Sequence, residues 1–406
     1  MQTPAVRPLF PRSQLPALTG IRAFAAFWVF TRHFRTELLD AFPAVHIFAP
    51  LMNVGYLGVD LFFILSGFIL TYTHFDKMTA GYNWRKAIGF LWLRIGRVWP
   101  LTAFVTLLFG LYFVYQYATT HKTNLTTQAD PGRLVVHLLL IQGWFPHPLD
   151  WDGLDWSISA EWLAYLVFSV GIVMLARFAL VASRRTIIIL IVVLTLPMII
   201  IGCTMQDDTI LLFSNNSYSI AAGVVPIRVL TEFWIGALLA ILVRERLAED
   251  RPIRFPLATV ASAVAIAIIY VVPAIEKTPW IRAGQHQFDS QGLDMIARSS
   301  TIIVLPLLVL VIVGLAVGRR DPFVWLLSRR PFQLGGRVSF ALYLSHPLVI
   351  GLAVAVLAHV ASVPLRDAIT VGAVVAAWVF AWVLWRLIEE PCRKLARKML
   401  PDSIRV

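Results

Sequence analysis

The chain has 406 residues, of which 58% are hydrophobic and only 14% charged, with a mean hydropathy of +0.75. A soluble globular protein has a lower apolar share and a higher charged share, so the composition excludes that class and specifies a polytopic membrane protein. The net charge of +12 is scattered over short loops rather than gathered in one basic domain, which fits membrane topology and not nucleic-acid binding.

Taken in chain order, apolar stretches at 23–39, 54–73, 98–117, 157–177, 186–203, 226–246, 257–273, 299–318, 338–360 and 367–388 predict an all-α protein of about ten transmembrane helices, each near the ~17 to 25 residues that cross the hydrocarbon core. The apolar piece 134–142 is too short to span and is expected to re-enter or lie at the interface. With the N-terminus inside, 25 of the 35 Lys and Arg fall on the inner tails and loops against 6 on the outer ones; the positive-inside rule then predicts that both termini are cytoplasmic. The start MQTPAVRPLFPRSQLP has no apolar core or small-residue cleavage site, so the first span is expected to direct insertion. Cys203 and Cys392 fall on opposite sides of the bilayer in this topology, which excludes a disulfide between them. Asn124 and Asn215 form sequons, relevant only in a glycosylating compartment. A single membrane domain over 1–406 is expected, with its motifs in 15–391 and a basic cytoplasmic tail at 392–406.

Ionisable residues inside these stretches are the candidates for function, because a charge in a membrane helix is costly unless it faces a polar interior. Arg22 and His33 are eleven residues apart, which at ~100° per residue puts them within about 20° in azimuth and ~16 Å apart along one helix. Histidine suits general-base work near neutral pH. Asp60, in GYLGVDLFFILSGFIL, has two readings: a carboxylate that orients His33 or holds its imidazolium, or one that merely starts a helix. Ser66 and Gly67 follow it inside the same span. Arg94 and Arg97, in FLWLRIGRVWP, share a helical face; their forked guanidiniums suit phosphate groups, although topology alone would also place arginines there. Asp150, Asp152 and Asp155 lead into GLDWSISAEWLAYL, where Ser157 and Glu161 are one turn apart. In SFALYLSHPLVI, Ser339, Tyr343 and His346 share a face, and Pro347 is expected to kink the helix and free a carbonyl.

LTGIRAFAAFWVFTRHF, GVDLFFILSGF, RIGRVWP, WSISAEW, SFALYLSHP and IEEP occur in that order and together resemble the membrane acyltransferase-3 family, over residues 15 to 391. The resemblance implies an integral membrane enzyme that O-acylates sugars, lipids or antibiotics. It further implies acyl-CoA, usually acetyl-CoA, as cosubstrate, with no tightly bound cofactor or metal. His33 looks like the family's catalytic base, Glu161 like its acidic position, and Arg22, Arg94 and Arg97 like the arginines linked to the acyl donor. Asp60 is expected to support the base, and Ser66, Ser157, Tyr343 and His346 to line the cavity. Ala160 and Trp162 stand where Val and Glu are often seen, so one carboxylate remains where relatives have two. The expected acceptor is a cell-envelope glycan or glycolipid, or else a small metabolite such as a macrolide, and the expected location is a bacterial inner membrane with lipid around the protein. A transporter would also place His, Asp and Arg in a membrane, but its usual paired halves are not visible in the sequence.

Overall fold

The computed structural model describes residues 15–80, 82–120, 131–144, 155–204, 224–276 and 292–401. Asp150, Asp152, Asn124 and Asn215 lie outside the described residues. The described chain is helical, without strands: α1 Pro16–His33, α2 Arg35–Ala41, α3 Ala49–Asn53, α4 Leu57–Thr79, α5 Trp84–Thr120, α6 Pro131–Leu138, α7 Trp156–Val181, α8 Arg184–Thr204, α9 Val224–Ala248, α10 Leu257–Glu276, α11 Gly292–Val317, α12 Pro322–Leu327, α13 Arg330–Leu357, α14 Val363–Leu384 and α15 Glu390–Met399. Among the described residues, six helices are long and apolar enough to cross a membrane. Each of the ten predicted apolar stretches falls on a helix.

Local sequence sets where these helices start and stop. Pro16 opens α1, where its fixed φ and missing N–H cost nothing. The stretch expected as one helix over 23–39 instead ends at His33, because Phe34 takes a non-helical conformation (φ −105°, ψ 14°) before α2 begins. The segment 74–97, expected as a loop, is helical from Trp84 onward, and α5 runs unbroken through Pro100. Arg94 and Arg97 therefore ride on a helix inside the bundle. The piece 134–142 contains the end of α6, a turn at Leu140 with φ 57° and a short 3₁₀ turn at Gln142–Trp144. It is pinned by Trp99 Nε1 donating to the Leu138 carbonyl (2.7 Å) and by a close, buried pairing of His137 Nδ1 with Asp155.

Close helix approach builds the frame of the site. A Cβ on Gly67 of α4 would strike the Phe233 carbonyl of α9, and one on Gly236 of α9 would strike the Ile64 carbonyl of α4, so the two backbones touch where only glycine fits. Gly336 of α13 meets the Thr19 carbonyl of α1 in the same way. These two tight pairs, α4 with α9 and α1 with α13, position Arg22, His33, Asp60, Ser66, Arg228, Ser339, Tyr343 and His346.

Candidate active site

α1 lies along α13, and its polar stripe faces that helix. Arg22 Nε donates to Ser339 Oγ (3.4 Å), and about three turns further along α1, about two along α13, His33 meets His346. The His33 and His346 rings are 5.2 Å apart between centroids, tilted by 48°. His33 Nδ1 is 2.9 Å from the Val29 carbonyl, and His346 Nδ1 is 2.9 Å from the Leu342 carbonyl. A carbonyl only accepts, so each Nδ1 carries the proton and each Nε2 a lone pair. His346 Nε2 lies 3.3 Å from His33 Nδ1 and takes a second, longer share of that N–H. The lone pair of His33 Nε2 is thereby left for an outside proton. His346 is fully buried, whereas His33 is exposed at the helix end. Pro347 does not interrupt α13; the Tyr343 carbonyl that it leaves without a helical N–H also interacts with the His346 ring.

Tyr343 forms the wall between the histidines and a partly open cavity of about 50 Å³ with polar groups on an apolar lining. Arg22, Ser66, Ser157, Glu161 and Tyr343 line it together with Val59, Phe62, Phe63, Ile158 and Phe340. Five residues singled out in the sequence, from α1, α4, α7 and α13, are thus brought to one place. Ser157 Oγ and Tyr343 Oη are 2.7 Å apart, Ser66 Oγ donates to Glu161 Oε1 at 2.7 Å, and Tyr165 Oη donates closely to the same oxygen. Arg22 Cζ stands 5.8 Å from the centre of the Phe62 ring. A larger groove of about 610 Å³ lies on the opposite face of α1, between Phe24, Phe27, Trp378 and Trp382. Its walls are apolar and offer nothing for acyl chemistry.

Below the cavity the arginines converge. Arg22 feels the charges of Arg97, Glu161 and Glu389, and Arg94 those of Arg97 and Glu161. The buried Arg94 Nε has no acceptor among the described residues, and its Cζ lies 5.7 Å from the Phe90 ring centre. A guanidinium with an unfilled N–H, beside two more arginines, has the chemistry of an anion site.

Asp60 is placed elsewhere. Its Oδ1 accepts from Arg228 Nε (2.8 Å) and Nη2 (2.5 Å), not from His33, and Glu232 Oε1 lies 3.5 Å from Arg228 Nε. All three are buried between α4 and α9. A fully desolvated guanidinium needs a counter-charge, and the tight α4–α9 contact puts Asp60 within reach. Arg228 and Glu232 went unassigned in the sequence, although two opposite charges four residues apart in an apolar span are a visible signal. Tyr165 and Glu389 were also missed. Among the described residues no cluster of three His, Cys, Asp or Glu side chains is arranged to hold a metal ion.

Comparison with known proteins now decides between an enzyme and a transporter. A family model described as an acyltransferase domain matches residues 15–385, nearly the whole chain. The chain belongs to this acyltransferase family. It is 25% identical over 402 residues to acyltransferase MdmB of Streptomyces mycarofaciens, covering 96% of this chain and 94% of that one. It is 21% identical over 403 residues to O-acetyltransferase OatA of Staphylococcus aureus, covering 94% of this chain but 57% of that longer one. A third relative, protein 2 in the picA locus of Rhizobium radiobacter, is 29% identical over 186 residues, 44% of this chain and 91% of that one. No solved structure matches. The protein is a multi-pass membrane O-acyltransferase.

Proposed function

We propose that this acyltransferase moves an acetyl group from cytosolic acetyl-CoA to a hydroxyl of a cell-envelope glycan or glycolipid. It would do so in a bacterial inner membrane, with about ten spans and both termini cytoplasmic. The observation that carries the reading is the open Nε2 of His33, set by the Val29 carbonyl and separated by one tyrosine from a polar cavity with arginines beneath it. Arg94 and Arg97, with Arg22 above them, hold the phosphates of the donor. The acceptor oxygen attacks the thioester carbonyl as its proton passes to His33 Nε2. The C–O bond forms, the C–S bond breaks, and the imidazolium returns its proton to the departing thiolate. The Tyr343 and Ser157 hydroxyls, 2.7 Å apart in the cavity, are neutral donors suited to a developing oxyanion, and Glu161 places negative charge beside Arg22 and Arg94.

A small metabolite such as a macrolide is the second reading of the acceptor. It is favoured by extent: the chain aligns with 94% of MdmB but with 57% of OatA. Thiol release from acetyl-CoA by the purified protein, dependent on added acceptor, tests the reaction, and comparison of envelope lipids and glycans with and without the protein tests the acceptor. His33→Ala is expected to lower turnover by roughly a hundredfold or more with normal membrane yield. Near wild-type turnover removes His33 from the mechanism.

A further inference from the structure

The motif IEEP closes the last long helix, and the proposed reaction leaves it without a role. Trp385–Glu389 forms one π-helical turn between α14 and α15. A π turn adds a residue to the helical repeat and re-aims the side chains that follow, and such turns are often functional. The two adjacent glutamates are separated by it. Glu390 faces outward and is spent on Arg393 (2.6 Å) and Lys394 (3.3 Å). Glu389 is turned into the bundle, where it is 95% buried and no donor among the described residues reaches its Oε2. The charges that act on it most strongly are Arg97 and Arg22. Neither makes an ion pair with it within 4.0 Å among the described residues. It is a counter-charge held across a gap.

Resting on the reading of these arginines as the donor's phosphate site, we infer that Glu389 is the internal counter-ion of that site: it balances the arginines while the site is empty and opposes the donor's phosphates when they arrive. Glu161, the other carboxylate near the arginines, is held by Ser66 and Tyr165 through its Oε1, whereas Glu389 has a fully buried oxygen that no donor among the described residues reaches. The device weakens donor binding, and by the same interaction it helps the CoA product to leave. Removing its charge therefore tightens both.

The test uses the full-length protein in detergent with acetyl-CoA and free CoA as probes. Glu389→Gln is expected to lower the KM for acetyl-CoA, and the inhibition constant of CoA, by up to about tenfold, the limit that a full unit charge would give at a separation on the order of 12 Å and an effective dielectric of about 20. The empty protein should melt lower and gain more from saturating CoA than wild type. Glu389→Asp, which keeps the charge but withdraws it by one methylene, should shift both constants the same way by only about 1.3-fold, so Glu389→Ala, which removes the charge, carries the test if the Gln variant does not accumulate. A KM that rises or stays fixed, or a wild-type CoA-dependent shift, overturns the inference. Arg94→Ala with Arg97→Ala separates the two levels: an unchanged donor KM there refutes the donor site itself, while a raised KM there with a silent Glu389→Gln refutes only the counter-ion.

Discussion

Replacing His346 tests whether it serves the base or is the base. In the structure His33 Nδ1–H has a primary acceptor, the Val29 carbonyl at 2.9 Å, and a secondary one, His346 Nε2, at 3.3 Å. A neutral hydrogen bond contributes about 0.5 to 1.5 kcal/mol net, and a shared, longer one belongs in the lower half of that range. His346→Phe keeps an aromatic ring, somewhat larger than imidazole, in the buried slot against Phe30 and Tyr343 and removes both nitrogens, so any overpacking shows as a lowered melting temperature rather than as a loss of turnover in the folded protein. Losing about 0.5 to 1 kcal/mol of imidazole orientation then lowers turnover about twofold to fivefold, with the donor KM unchanged. His346→Ala empties the slot as well and should lower the melting temperature, so the Phe variant is the informative one. The assay is thiol release at saturating acetyl-CoA and acceptor, with folded yield measured by size-exclusion chromatography. A loss of a hundredfold or more in a well-folded His346→Phe protein would refute the assignment of roles, because it would place His346 in the proton transfer itself.

Glu161→Gln retains an oxygen for Ser66 and Tyr165 and removes the charge; turnover is expected to fall at least about tenfold at normal yield, and a fall in yield with full specific activity would make Glu161 a brace. Arg228→Ala strands two buried carboxylates, Asp60 and Glu232, and should destabilise the protein by about 3 to 5 kcal/mol; a wild-type melting curve in detergent would show that the triad is not a structural ion cluster. Gly67→Val drives a side chain into the Phe233 carbonyl and should abolish folded protein, whereas Gly372→Ala, whose new Cβ meets nothing within 4 Å, should gain up to about 1 kcal/mol by thermal unfolding.

The helices and the stripe of Arg22 and His33 could be read from the sequence because both depend only on local periodicity. The cavity was legible for a related reason: Ser66, Ser157, Glu161 and Tyr343 are polar residues in apolar helices, and in a membrane such residues have nowhere to go but inward. The partner of each charge was not legible. Asp60 and Glu161 lie on different helices from Arg228, and which of them joins Glu232 beside it is decided by backbone approach at Gly67 and Gly236, a tertiary fact. His346 took the place beside His33 that the sequence reading gave to Asp60, since α13 and not α4 lies along that stripe of α1. Glu389 was hidden by its own helix, because a regular 3.6-residue count carries no sign of the π turn that aims it.

The spacing of these groups bears on what the enzyme carries. Arg22 and His33 are ~16 Å apart along α1, so the phosphate end of the site and its base cannot serve the same atom of the donor. On the acyl-CoA reading proposed above, the extended arm of the donor bridges them, with its thioester reaching the histidines while its phosphates stay among the arginines. Between the two lies the cavity of about 50 Å³, walled by Phe62, Phe63, Phe340 and Val59. That is room for a few water molecules and so for a group of acetyl size. Widening it requires moving Phe63, which is buried in the core, or Phe340, on the helix that packs backbone to backbone against α1. A close-packed interior resists such movement. The acceptor has no such constraint, because His33 sits at the exposed end of α1. On the reaction proposed above, the same architecture restricts the transferred group tightly and the acceptor loosely.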